Sequence, residues 1–91
     1  MNRKEASKYL KLVDGWTLKG KGIERDMKFK NFVKAIGFIN KVADVAEEEG
    51  HHPDINLYSW NRIKFTLSTH AIKGLSINDF ILASKINSLK T

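Results

Sequence analysis

The chain has no cysteine and only one proline, Pro53. Without cysteine it has neither disulfides nor thiolate metal ligands, which fits a reducing compartment, and we expect a cytoplasmic protein. It also has no run of about 18 apolar residues and no apolar signal-peptide core after its polar start. The sequence therefore predicts a soluble chain that makes no membrane contact.

No linker, internal repeat or low-complexity segment interrupts the 91 residues, of which 42% are hydrophobic and 29% charged. This composition predicts one globular domain over residues 1–91. A chain of this length buries only about 60–65% of its unfolded surface, so oligomerisation is a reasonable way to bury more.

The net charge of +6 raises nucleic acid as a partner. The excess lies in residues 1–46, with eleven Lys and Arg against five Asp and Glu, whereas residues 47–91 have five of each. No nucleic-acid-binding motif accompanies this basic half. We therefore interpret its lysines as solvated surface and expect no nucleic-acid partner; they include Lys19, Lys21, Lys28, Lys30 and Lys34.

Hydrophobic periodicity predicts the order α-β-β-α-β-β-α. Helical spacing covers three segments: residues 3–12, Asn31 to Glu49, and the residues after Ser76. Alternation covers two predicted hairpins, 16–29 with a turn at Gly20-Lys21-Gly22 and 55–69 with a turn at Trp60-Asn61. Gly50 and Pro53 end the long helix. Two hairpins and three helices predict an α+β fold, a four-stranded antiparallel sheet with the helices packed on one face.

The long helix has a wide apolar stripe. Its predicted face is Phe32, Ile36, Ile39, Ala43 and Ala46, widened by Val33, Phe38, Val42 and Val45. One interpretation is a helix buried in its own core. The other is a helix that covers its own sheet and also packs against a second subunit.

All three histidines of the chain, His51, His52 and His70, lie in its second half. Histidine exchanges protons near neutral pH, so this concentration indicates acid/base chemistry. Three carboxylates, Glu47-Glu48-Glu49, precede them in the last turn of the long helix, where the helix dipole disfavours anions; such a conflict often marks a site. Glu47 is four residues before His51, within reach of it if the last turn persists.

Three imidazoles are also a set of ligands that zinc accepts. His51 and His52 are immediate neighbours, an awkward spacing for two ligands of one ion, so we expect no metal. Alternation along Ile63, Phe65 and Leu67 predicts that His70 belongs to the polar face of its strand, away from the helices.

Two further residues have a structural and a functional interpretation. Asp79 follows Ser76 by three residues, the position of a helix-capping carboxylate. Trp60 lies at the reversal of the second hairpin, where it either packs as a core or turn aromatic or gives a flat apolar wall to a ring-shaped ligand.

The spacing of Glu47, His51-His52-Pro53, Trp60, His70 and Asp79 resembles the signature of the pterin-4a-carbinolamine dehydratases. The similarity extends to Gly15-Trp16, to the stretch from Lys28 to Phe32 with Gly37-Phe38 and Val42-Ala43, to the run from Thr66 to His70, and to Gly74-Leu75-Ser76. It covers the chain from about Trp16 to Ile86.

The resemblance implies dehydration of a 4a-hydroxytetrahydropterin to the quinonoid dihydropterin, the step that recycles the pterin after an aromatic amino acid hydroxylase. It implies catalytic His51, His52 and His70, with His51 and His70 as the acid/base pair and His52 orienting the pterin. The implied substrate-binding residues are Glu47, Pro53, Trp60, Ser68, Thr69 and Asp79, with Glu47 tuning or holding His51, while Trp16 is structural. No metal or organic cofactor is required.

The chain departs from the animal members at two positions, with Asn78 where they have Arg and Gly50 where they have Asp. A cationic contact from position 78 is therefore not expected. Because the family forms dimers through sheet edges and tetramers through the long helix, the resemblance implies a homodimer or homotetramer. Some animal members bind a homeodomain transcription factor through that helix, so the alternative is a protein-partner adaptor.

Overall fold

The computed structural model describes all residues, Met1–Thr91, and has the predicted order of elements. Its helices and strands are α1 (Arg3–Leu10), β1 (Thr17–Lys19), β2 (Gly22–Lys28), α2 (Phe32–Glu49), β3 (Asp54–Tyr58), β4 (Arg62–Leu67) and α3 (Ile77–Ser88), with a 3-10 turn at His70–Ile72 before α3. None of the helices has the length and apolar composition needed to cross a membrane.

The four strands form one antiparallel sheet in the order β1-β2-β4-β3. Along β4 the side chains of Ile63, Phe65 and Leu67 are completely buried, whereas the residues between them are partly exposed. A two-residue period of this kind places one face of the sheet in the core. The α+β class and the four-stranded antiparallel sheet predicted from the sequence are confirmed.

The face that α2 turns to the sheet is one edge of the predicted stripe. Its buried residues are Ala35, Phe38, Val42 and Ala46, and the Phe38 ring packs edge-on against Phe65 with centroids 5.9 Å apart. Phe32 and Val33 are 51% and 76% exposed. The stripe is wider than the sheet can cover, so the core takes one edge of it and leaves the other in solvent.

Arg25 interrupts the inner face of β2 without leaving it. Its guanidinium donates a hydrogen bond to the side-chain oxygen of Asn87 on α3, and the indole N–H of the buried Trp16 donates to the same oxygen at 2.9 Å. A buried polar group needs such partners. Asn87 thereby joins the first hairpin to the last helix.

Candidate active site

The segments that precede β3 and follow β4 meet at one end of the sheet, because Asp54 pairs with Thr66 across these antiparallel strands. They enclose a cavity of about 390 Å³, here called the histidine cavity. Its lining residues are Gly50, His51, His52, Pro53, Asp54, Ser68, Thr69, His70 and Ala71. The fold therefore brings His70 to the adjacent His51 and His52, together with three of the expected binding residues.

Gly50 sets the direction in which the chain leaves α2. Its φ of 63° is left-handed, a conformation that glycine adopts without steric cost. The N–H of His51 then donates to the carbonyl of Ala46 at 3.2 Å, a pattern typical of a helix that ends on a left-handed residue. This reversal carries His51 off the helical face of Glu47 and towards α3.

His51 is held by a buried carboxylate. Its Nε2 lies 2.5 Å from Oδ1 of Asp79, whose side chain is fully buried, while the imidazole keeps 17% of its surface exposed. An ionised carboxylate only accepts hydrogen bonds, so Nε2 carries the proton and Nδ1 is the free nitrogen of the neutral ring. The contact thus selects one tautomer and one orientation of His51.

The second oxygen of Asp79 is also paired. Oδ2 accepts hydrogen bonds from the Thr69 hydroxyl at 2.9 Å and from the backbone N–H of Ser76 at 3.0 Å. The hydroxyls of Thr69 and Ser76 lie 2.7 Å apart. Asp79 therefore combines both roles that its position left open: it caps α3 through Ser76 and it positions His51.

Glu47 contacts a different histidine from the one predicted. Its Oε2 accepts a hydrogen bond from Nε2 of His52, and both side chains are largely exposed. The prediction that Glu47 holds His51 is wrong because the helical spacing ends at Glu49, before Gly50 turns the chain. Glu49 pairs with Lys85 on α3, and this hydrogen bond raises the pKa of Lys85 above its ordinary value.

Alternation along β4 predicted that His70 belongs to the strand. In the structure His70 lies outside it. β4 ends at Leu67, and the N–H of Thr69 donates to the carbonyl of Gly74 at 2.7 Å, which closes the 3-10 turn that begins at His70. The imidazole hydrogen bonds are those of His51 and His52. His70 is therefore an exposed ring without a protein partner.

Trp60 lies at the other end of the second hairpin from the histidines. Ser59 and Trp60 both have left-handed backbones, with φ of 49° and 53°, as in the tight turns that suit a twisted hairpin. The indole is 66% exposed and does not line the histidine cavity. Within this chain, Trp60 is a turn residue and forms no wall of that cavity.

The arrangement supplies acid/base groups without a common point of convergence for a metal. His51 and His52 turn to different carboxylates, and no group of three or more histidine, aspartate or glutamate side chains has the geometry of an ion site.

From the sequence, Ser76 was expected only to cap α3. Its position three residues before Asp79 was the signal that it also borders the contact with His51.

Comparison with known proteins agrees with the resemblance. The family of pterin 4 alpha carbinolamine dehydratases matches residues 1–89. Pterin-4-alpha-carbinolamine dehydratase 2, mitochondrial, from Arabidopsis thaliana is 46% identical over 99% of this chain, which spans 50% of that relative's length. A putative pterin-4-alpha-carbinolamine dehydratase from Nitrosospira multiformis is 40% identical, over 98% of this chain and 78% of its own.

The fold has the same relationship. A crystal structure described as a transcriptional coactivator/pterin dehydratase from Brucella melitensis superposes with a TM-score of 0.89 at 36% identity, covering 97% of this chain and 95% of that one. The match extends along almost the whole chain in sequence and in structure. The chain belongs to the pterin-4-alpha-carbinolamine dehydratase family.

Proposed function

We propose that the chain dehydrates 4a-hydroxytetrahydropterins, forming quinonoid dihydropterin and water, as part of pterin cofactor recycling. The observation that supports this proposal is the grouping of His51, His52 and His70 around one cavity, with His51 held by the buried Asp79. Membership of the dehydratase family supports it independently.

The reaction needs two proton transfers. The N5–H bond breaks, its electron pair forms the N5=C4a double bond, and the C4a–O bond breaks as the departing hydroxyl takes a proton to become water. No electron is gained or lost overall, so a base near N5 and an acid near the hydroxyl are sufficient. Imidazoles suit both roles near neutral pH.

We assign the base to His51 and the acid to His70. The free Nδ1 of His51 accepts the N5 proton, and a buried carboxylate such as Asp79 compensates the charge that the ring then carries. His70 has no protein partner, so it exchanges protons with water between turnovers. His52, held by Glu47 at the rim, orients the pterin together with Pro53, Ser68 and Thr69.

Stopped-flow measurement of freshly generated 4a-hydroxytetrahydropterin tests the activity. The protein is expected to accelerate water loss above the spontaneous rate, and His51→Ala and His70→Ala are expected to abolish most of that acceleration. Dehydration at the spontaneous rate with the folded wild-type protein rules the proposal out.

We also propose a homodimer or homotetramer that uses the exposed edge of α2. Phe32, Val33 and Ile36 are all more than one third exposed, and large apolar groups of this kind are usually covered in an assembly. In sedimentation velocity, Ile36→Glu is expected to lower the mass, whereas Lys34→Glu, on the other side of the helix, is not. An unchanged mass for Ile36→Glu contradicts this interface.

A second candidate function is a protein-partner adaptor that acts through the same edge of α2. It is favoured by that exposed apolar edge, and the Brucella melitensis relative is described as a transcriptional coactivator as well as a pterin dehydratase. If the protein loses its function in cells when Ile36→Glu is introduced, while dehydration is retained, the adaptor is favoured. If it loses that function in His51→Ala, while the oligomer is retained, the enzyme is favoured.

A cytoplasmic location is also a proposal, supported by the absence of cysteine. Cell fractionation with an antibody to the chain tests it, and recovery of the protein with an organelle contradicts it.

A further inference from the structure

A second cavity of about 250 Å³ adjoins the histidine cavity and shares Ser68, Thr69 and His70 with it. We call it the lysine cavity, because its other lining residues are Lys21, Lys73 and Gly74. None of its six residues is apolar and none is acidic. Two lysines, a histidine and two hydroxyl-bearing residues line a space that adjoins the candidate reaction site.

The backbone brings the two lysines to this place from separate turns. Lys21 lies in the turn between β1 and β2, next to Gly22. A Cβ at Gly22 would lie 2.5 Å from the carbonyl oxygen of Leu67 and 3.3 Å from Cβ of Ser68. Only glycine permits this approach. Because Gly22 has no side chain, the turn that contains Lys21 packs against the end of β4.

Lys73 comes from the other side of the cavity. It follows the 3-10 turn with a left-handed backbone, φ 52°, a conformation that L-residues other than asparagine and aspartate rarely adopt. Backbone hydrogen bonds between Thr69 and Gly74 hold the loop closed. This left-handed residue ends the 3-10 turn and places Lys73 among the residues that line the lysine cavity.

The two ammonium groups are not neutralised by the protein. The cations of the four ion pairs are His51, His52, Arg62 and Lys85. A further cavity of about 260 Å³ shares Lys21, Lys73 and Gly74 and adds Arg3, again without an acidic residue. Lysine and arginine side chains therefore continue outward from His70, whereas Asp79 and Glu47 pair with His51 and His52 and Asp54 lines the histidine cavity.

We propose that Lys21 and Lys73 form a subsite for an anionic group on the C6 side chain of the pterin, a phosphate or a carboxylate. This inference rests on the proposed dehydration. C6 is bonded to N5, so a side chain on C6 leaves the ring beside the reacting atoms and reaches the lysine cavity past His70. The lysine pair then selects pterins with an anionic side chain over those with a neutral one.

The test compares 4a-hydroxytetrahydropterins that carry a methyl, a carboxylated or a phosphorylated C6 side chain. For the wild-type protein, the KM of the preferred anionic substrate is expected to be about tenfold below that of the methyl compound, equivalent to about 1.4 kcal/mol. Added salt should reduce this ratio because it screens exposed charges. A phosphate preference points to a phosphate monoester, and a carboxylate preference to a carboxylated side chain.

Lys21→Gln with Lys73→Gln is expected to reduce the KM ratio to about one, and arginine at both positions should restore it. The matched control is Lys30→Gln with Lys34→Gln, which removes the same charge near the start of α2 and should keep the ratio. Equal KM values in the wild-type protein, or a ratio that survives the loss of Lys21 and Lys73, overturn the subsite.

Equilibrium binding of the fully oxidised pterins separates this inference from the proposed function, since these compounds have no water to lose. If the anionic pterin binds more tightly, this depends on the two lysines, and the hydroxylated compounds are not dehydrated, then the subsite is supported and the proposed function is ruled out. Dehydration with equal affinities for neutral and anionic pterins removes the subsite and leaves the function.

Discussion

The two turns that supply histidines to the cavity are built differently. His51 leaves α2 through a left-handed glycine and is fixed by Asp79, which is fully buried and paired on both oxygens. His70 starts a 3-10 turn, is exposed and has no hydrogen bond to the protein. One imidazole is locked in a single tautomer, and the other is free to rotate and to exchange protons.

This difference indicates a division of labour rather than two equivalent groups. A positioned ring suits a proton transfer that needs fixed geometry, since misplacement of a reacting group by about 1 Å can cost about 100-fold in rate. A free ring exchanges protons readily with water. The neighbours differ as well: Asp79 and Glu47 pair with His51 and His52, whereas Lys21 and Lys73 line a cavity with His70.

The largest expected effect is the loss of either member of the acid/base pair. His51→Ala and His70→Ala should each lower kcat by about 10²–10⁴-fold, the usual contribution of a general acid or base. Stopped-flow kinetics measures the rate, and circular dichroism confirms that the fold is retained.

The two variants should then differ in chemical rescue. Added imidazole should recover more activity in His70→Ala, where the site is exposed, than in His51→Ala, where the lost ring was only 17% exposed. Equal rescue of both variants contradicts the division of labour, and wild-type rates in both contradict the assignment of the pair.

Asp79→Asn removes the charge that positions His51 while keeping the size of the side chain. We expect kcat to fall by about 100-fold with little change in KM, because the ring loses its selected tautomer and orientation. Ser76→Ala, which removes a hydroxyl but keeps the backbone N–H that contacts Asp79, is the control and should stay near the wild-type rate. A fall in KM and kcat by the same factor in Asp79→Asn speaks against a positioning role.

The sequence predicted the sheet well because its signals are local. The alternation from Ile63 to Leu67 is a signal that spans a few residues, and so is the helix stop at Gly50 and Pro53. The order of the elements, the fold class and the end of α2 were therefore all predicted. The histidine set and Asp79 were found through their spacing. Which face of α2 enters the core depends on the width of the sheet beneath it, and Phe32 was therefore assigned to the wrong side.

The partners of the histidines were not predictable from spacing alone. A four-residue interval joins Glu47 to His51 only while the helix continues, and the left-handed Gly50 ends it. Asp79 lies 28 residues from His51, so their contact depends on how α3 packs. Lys21 is exposed, as the sequence predicted, but its place beside Ser68 was not predictable because it depends on the packing of one turn against another strand.

Gly22→Ala tests the packing that brings Lys21 to the His70 side. The added Cβ would meet backbone of β4, so the free energy of unfolding should fall by about 1–3 kcal/mol. Gly37→Ala is the matched control, since nothing lies within 4 Å of a Cβ there and alanine favours a helix by about 0.5–1 kcal/mol. Urea unfolding that ranks Gly22→Ala as the more stable variant contradicts this account of the turn.

The smallest expected effect is that of Trp60→Ala. Trp60 is 66% exposed at the hairpin end remote from both histidine turns, so its loss should leave kcat and KM within about twofold and stability within about 0.5 kcal/mol of the wild type, as for most surface substitutions. Steady-state kinetics at a concentration where the protein is fully assembled is the appropriate measurement. A large rise in KM at that concentration, absent on dilution, shows that Trp60 reaches the histidine cavity of a second copy, and the site then has a third, intersubunit element beside the two turns.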